Sequence, residues 1–410
     1  MSPALLAFTT PITADLLRGH IELEHTASGV LPHRLPAWAR AQSGDPQLMM
    51  VEAQPSGVRL VFQSAATTIA LDILPTKRVY VGMPARPDGV YDLRIDGQLL
   101  RQQSAAGGKV MRIDMAKGSA SLEPGETQTL HFEGLPGHEK LVEIWLPHDE
   151  TTELLGLRSD AVITPLAASA KTVWLHHGSS ISQGSNATSP TGIWPVVAAG
   201  HADVELVNLG FGGSALLDPF MARTLRDTPA DLISVKIGIN LVNLDLMRLR
   251  AFGPAVEGFL DTIREGHPTT PLLVVSPLFC PIHEKTPGPG MFDMALLAQG
   301  RLSFLASGNP QEIAQGKLTL SVIRERLESI VARRAQADSN LHYLDGLALY
   351  GEADNGHLPL SDQLHPDAAT HQLIGDRFGP LLRQLLATGR ISQLHQQLEK
   401  LQLVRRTVRH

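Results

Sequence analysis

One cysteine, Cys280, is the whole thiol content of this 410-residue chain. It excludes an intramolecular disulfide framework and a thiolate-rich zinc site, since both need several cysteines. Aromatic residues make up 5% of the sequence and tryptophans number four, Trp38, Trp145, Trp174 and Trp194. That is too few for a broad sugar-stacking platform, although one or two could line a pocket. Positive charge is in deficit, with 35 Lys and Arg against 41 Asp and Glu and a formal net charge of −6. Without a basic excess to neutralise phosphates, general nucleic-acid binding is excluded. Apolar runs are short: Pro271-Leu-Leu-Val-Val275 falls far below the ~18 residues of a membrane span. The first residues carry an apolar run of about five, against the ~7–15 of a signal core, and no early Lys or Arg. A soluble, cytoplasmic protein with no membrane partner is expected.

Hydrophobic residues make up 43% of the chain, enough to exclude disorder over most of its length. At roughly 100–200 residues per domain, two to three domains are expected. The first 165 residues and the rest follow different periods. Between Gly57 and Leu146 lie short apolar or alternating runs at 58–62, 67–74, 79–81, 91–99, 127–132 and 141–146. Turn signals separate them, among them Pro75, Asp96-Gly97, Gly107-Gly108, Pro124-Gly125 and Pro136-Gly137. This pattern predicts an antiparallel β-sandwich. From Lys171 onward, apolar strands at 172–176, 204–208, 232–237, 272–276 and 341–344 alternate with helix-period segments. The clearest helix is 318–335, with Leu320, Ile323, Leu327 and Ile330 three or four apart. A parallel sheet covered by helices on both faces follows, with any active site at the carboxyl ends of its strands. Residues 280–310 are longer than usual for a connection in such a fold; they read either as a lid or substrate wall, or as a packed excursion with its own short helix. The tail, with Ile391, Leu394, Leu398 and Leu401, predicts a docked terminal helix.

The residues that carry chemistry stand at strand ends. His177-Gly-Ser-Ser-Ile-Ser-Gln-Gly184 follows the first strand of the α/β part, where backbone N–H groups and a helix dipole face outward. Asn208-Leu-Gly-Phe-Gly-Gly-Ser214 ends the second strand and Gly238-Ile-Asn240 the third. Asp362-Gln-Leu-His365-Pro366 precedes the last helix, which Pro366 is expected to open. In a parallel sheet these segments converge on one edge. An Asp and a His three residues apart can hydrogen-bond, so that the second imidazole nitrogen faces a serine.

This order of blocks resembles the SGNH (GDSL-like) hydrolase superfamily over residues 171–388. The resemblance implies a three-layer α/β/α, flavodoxin-like catalytic domain. It places the nucleophile at Ser180, with Ser179 and Ser182 as the other candidates. It makes His365 the base and Asp362 its partner. Its oxyanion hole would use the N–H groups of Ser180 and Gly213 and the Asn240 amide. Ser179 and Leu241 stand where the family often has Asp. Tyr91-Asp-Leu93 and Val142-Glu-Ile-Trp-Leu-Pro147 resemble the small, jelly-roll-like sandwich that precedes some SGNH esterases, including carbohydrate esterases. Such a sandwich either shapes the cleft or only stabilises or dimerises the enzyme. The expected domains are a sandwich at 1–165, a catalytic domain at 166–390 and a helical tail at 391–410.

The activity implied is a serine esterase acting on short-acyl, chiefly acetyl, esters of a sugar or similar polar alcohol. No cofactor or metal is required, and a homo-oligomer is compatible with the sequence. A thioesterase, lysophospholipase or acyltransferase would use the same machinery. A different class, an inactive scaffold that binds carbohydrate, has no need of both Asp362 and His365. Other motifs fail. No Gly-x-Ser-x-Gly elbow occurs, and His283-Glu284 meets Pro287 where a zincin helix needs its second histidine. No Walker loop is present. Gly210-Phe-Gly-Gly-Ser-Ala215 lies in the second β-α turn, with no carboxylate following at the spacing of a dinucleotide site. His176 and His177 read as strand-end histidines satisfied by backbone, or as a substrate contact.

Overall fold

The computed structural model describes residues 6–167 and 169–389; the tail at 391–410 lies outside them. Among the described residues, the N-terminal part forms two facing sheets of eight and six strands. In strand Thr68–Tyr80 of the larger sheet, Ile69, Leu71 and Ile73 point inward at alternate positions. They meet Val142 and Ile144 of Lys140–Trp145 in the smaller sheet, the period-2 burial that holds a sandwich together.

Three details differ from the sequence reading. Pro75 does not end a strand: Thr68–Tyr80 runs straight through it. It is tolerated because it falls where the strand changes partner, from Gln128–Glu133 before it to Lys109–Asp114 after it. The pairing of 76–80 with 109–113 is parallel, not antiparallel. Between these segments the chain crosses to the smaller sheet, forms the hairpin Val90–Ile95/Gln98–Ser104, and returns in the same direction. Thr151–Ser159, at the centre of the larger sheet, is a strand beyond the last run that periodicity picked out.

The α/β part has five parallel strands: Val173–Gly178, Glu205–Gly210, Leu232–Lys236, Leu272–Val275 and Leu341–Leu344. They stand in the order second, first, third, fourth, fifth. Leu272 and Val274 point to one apolar layer, Leu273 and Val275 to the other. Helices Pro219–Asp227, Leu249–Gly266 and Leu320–Arg334 cover the first face. Trp194–Ala202 and Ala368–Thr388 cover the second. The final helix starts at Ala368, not at Pro366, because the Asp367 carboxylate caps it by accepting the Thr370 N–H at 2.9 Å.

The two parts share a core. Helices Ala37–Ser43 and Pro46–Glu52 belong to the N-terminal part, yet Leu35, Ala39, Leu48 and Val51 pack into the first α/β layer. Arg34, fully buried, carries the connection. It donates to the carbonyls of Val51 (2.5 Å) and Gln54 (2.6 Å) on its own side, and to those of Asn208 (3.0 Å) and Gly210 (2.6 Å) at the end of the second strand. Its guanidinium also stacks on Phe211. Among the described residues, no helix is long and apolar enough to cross a membrane.

Candidate active site

The first strand of the parallel sheet stops at Gly178, and the four-residue helix Ser180–Gln183 begins at once, capped by the Ser179 hydroxyl. Ser180 is therefore the first helical residue, with its N–H directed out of the helix end. Its Oγ lies 3.1 Å from His365 Nε2. His365 Nδ1 is 2.8 Å from Asp362 Oδ2, so Nδ1 carries the proton and Nε2 is the acceptor facing the serine. Asp362 Oδ1 accepts the N–H groups of Leu364 (2.9 Å) and His365 (2.7 Å), and its Oδ2 also accepts from Asn186 Nδ2 (3.0 Å). Burial works against the charge on Asp362, but the His365 imidazole and these N–H donors outweigh it and hold the carboxyl at about 2.

Beside Ser180 stand N–H donors with no acceptor among the described residues. The Ser180 N–H is one and the Gly213 N–H another. Gly213 has φ +75°, a left-handed conformation that glycine adopts without strain. Its loop is held from both parts of the protein: Gly212 N–H donates to Gln183 Oε1 (2.7 Å), and Gln47 Nε2 donates to the Gly212 carbonyl (2.9 Å). Asn240 supplies the third donor. Its Oδ1 accepts the Ala215 N–H at 3.1 Å, which orients the amide and leaves Nδ2 free. Gly238, at φ +137°, makes the turn that carries Asn240 to the sheet edge.

Ser180, Gly213, Asn240, Asp362 and His365 all line one cavity of about 410 Å³, a volume suited to a small molecule. The structure thus brings together every residue the sequence singled out as catalytic or oxyanion-binding. The other serines are spoken for. Ser179 caps the helix, and Ser182 is fully buried with its Oγ 2.8 Å from His176 Nε2. His176 and His177 are interior residues held neutral by burial, His177 at about 4 with its ring on the Leu209 carbonyl; neither contacts substrate space. No tryptophan lines the cavity. Trp174, Trp194 and Trp145 are buried and Trp38 is exposed elsewhere.

The sequence did not point to the rest of the lining. Helix Pro46–Glu52 contributes Gln47 and Val51, and the sandwich contributes Arg78, Tyr80, Met83, Arg86 and Asp149, so the N-terminal part shapes the cleft. The 280–310 insertion contributes Phe292 and Phe304, paired across a short hairpin. Phe304 lies edge-on to the His365 ring, and its N–H donates to the Asp362 carbonyl at 3.0 Å. The insertion thus forms part of the cavity wall, and it also holds the short helix Met294–Leu297. Asn186 had no motif signal; its left-handed backbone (φ +67°) follows Gly184 in the turn after the nucleophile helix.

Residues 177–373 match the GDSL-like lipase/acylhydrolase family. Among solved structures, the chain is similar to the salicylyl-acyltransferase SsfX3 from a tetracycline biosynthetic pathway. The identity is 26% and the TM-score 0.76, over 94% of this chain and 99% of that one. Its fold is also similar to that of a protein described as a GDSL-like lipase from Bacteroides ovatus (18% identity, TM-score 0.62, 91% and 96% covered). A family two carbohydrate esterase from Clostridium thermocellum, in complex with cellohexaose, shares the fold at 14% identity and TM-score 0.54 (81% and 93% covered). No curated protein sequence matches the chain.

Proposed function

We propose that the chain, whose residues 177–373 match the GDSL-like lipase/acylhydrolase family, is an SGNH-type carboxylic ester hydrolase in which Ser180, His365 and Asp362 act as a nucleophile–base–orienter triad on small esters. The observation that carries this reading is the hydrogen-bonded chain from Ser180 Oγ through His365 to Asp362, beside donors that lack acceptors. His365 Nε2 takes the proton as Ser180 Oγ attacks the ester carbonyl. The Ser180 and Gly213 N–H groups and Asn240 Nδ2 receive the oxyanion. His365 then protonates the leaving alcohol, and an acyl group remains on Ser180. In the second half His365 removes a proton from water, the hydroxide attacks the acyl-enzyme, and His365 returns that proton to Ser180 Oγ as the acid leaves.

For the substrate we propose a short acyl group, acetyl being the simplest, on a small polar alcohol such as a sugar. A cavity of about 410 Å³ whose lining holds Phe292 and Phe304 together with charged side chains supports this. Acyl transfer is the second reading. It is favoured by the similarity to an acyltransferase over 94% of this chain, and differs only in that an acceptor alcohol replaces water in the second half.

The test is a series of 4-nitrophenyl esters from acetyl to dodecanoyl, assayed with the natural chain and Ser180→Ala. The expected result is a kcat/KM maximum at the short end and a loss of ~10³-fold or more in the variant. A maximum at the long end would overturn the short-acyl reading. An unimpaired variant would overturn the serine mechanism.

A further inference from the structure

The sandwich face of the cleft carries charge for which the triad chemistry has no use. Arg78, near the end of strand Thr68–Tyr80, and Arg86, on the loop that follows, both line the cavity with Ser180. One carboxylate, Asp149, stands between them, and Arg86 occupies it with a 3.0 Å ion pair. Arg78 donates from Nη2 to the backbone carbonyl of Asp149 at 3.1 Å instead. Its Nε is buried and has no acceptor, while the Tyr80 side chain interacts with the same guanidinium. Two guanidiniums against one carboxylate leave this wall with a net positive charge. The neighbouring groups cancel it only in part. His148 is held neutral by burial. The buried Glu150 is pushed up to about 7 and takes the Gly89 N–H. Asp362, also lining the cavity, is occupied by His365, Asn186 and two backbone N–H groups.

A buried N–H on a charged group is costly to leave unpaired. The guanidinium N–H groups that face the cavity are the ones a ligand can reach, and such a fork matches a carboxylate in two parallel bonds. We propose that Arg78, supported by Arg86, binds a carboxylate carried by the substrate, so that the sandwich selects acidic esters for the serine centre. This rests on the ester-hydrolase reading above. The two guanidiniums stand in a lining that also holds Tyr80, Met83 and Met115 of the sandwich and Phe292 and Phe304 of the insertion.

The experiment compares matched esters at pH 7 by pH-stat. Monoethyl succinate against ethyl butyrate places the carboxylate on the acyl part; 4-acetoxybenzoate against 4-methylphenyl acetate places it on the alcohol part. The quantity read is the ratio of kcat/KM for the acidic over the neutral member of each pair. In the natural chain one pair is expected to show a ratio of ~10 or more, identifying which part bears the charge. Arg78→Gln should bring that ratio close to one, Arg86→Gln should lower it less, and Arg78→Lys should retain part of it. Ratios of one or below in both pairs, with the neutral esters turned over, would overturn the carboxylate site alone. So would a high ratio that survives in both Gln variants. No turnover of any of the four esters would overturn the hydrolase reading and this proposal together.

Discussion

Asn186 donates its side-chain amide to Asp362 Oδ2, the same oxygen that receives the proton-bearing Nδ1 of His365. The carboxylate is thereby held in one rotation, with its other oxygen on two backbone N–H groups. Asn186→Gly keeps the left-handed backbone and removes the donor. A charge-assisted hydrogen bond lost from the orienting carboxylate should lower kcat about 10-fold, with KM for a small ester little changed. Steady-state kinetics check this, and an unaltered kcat would mean that the backbone donors orient Asp362 by themselves.

Asn240→Ala tests the oxyanion assignment. Removal of one such donor costs about 10²–10³ in turnover. Asn240 Oδ1 also accepts the Ala215 N–H, so a loss of about 1 kcal/mol in stability should accompany it. Turnover near that of the natural chain, in a folded variant, would remove Asn240 from the proposed hole.

Arg34→Met tests the link between the two parts of the protein. The change leaves the carbonyls of Val51, Gln54, Asn208 and Gly210 without this donor. Burial has already drawn the guanidinium down to about 9, a sign of how fully it is removed from water. Breaking a buried network of this kind should cost about 3–5 kcal/mol in a urea titration. A loss below 1 kcal/mol would show that the apolar contacts of Leu35, Ala39, Leu48 and Val51 hold the two parts together without it.

Glu150 makes stability depend on pH. Burial raises its carboxyl from 4.5 to about 7, and Oε1 has no partner. Between those values the folded chain keeps a proton that the unfolded chain has lost. Stability therefore falls as pH rises across that window, and the loss is complete above 7. Glu150→Gln removes this slope, so its stability relative to the natural chain should grow between pH 5 and pH 8 by on the order of 2–4 kcal/mol. Equal differences at the two pH values would contradict the raised carboxyl.

What was legible in the sequence follows from what local pattern encodes. All five parallel strands were readable because buried parallel strands are short, nearly uniform apolar runs. The segments that carry Ser180, Gly213, Asn240, Asp362 and His365 could be grouped because parallel topology brings strand ends to a single edge, and the family resemblance singled out these residues within them. Arg78, Arg86 and Asp149 could not, because they reach the cavity only through the packing of the sandwich on the α/β part, which no local period records. The strand through Pro75 was misread for a related reason: the residue is tolerated because of which neighbours it pairs with, and those neighbours are supplied by residues 109–133. Helices Ala37–Ser43 and Pro46–Glu52 are two turns each, too short for an apolar period to stand out.

The central claim is that Ser180 is an activated nucleophile, and covalent capture tests it most directly. The folded chain is treated with a fluorophosphonate, weighed intact and peptide-mapped, with Ser180→Ala as control. One adduct on Ser180, absent from the control, is the predicted result. An adduct on another serine, or none from folded protein, would contradict it.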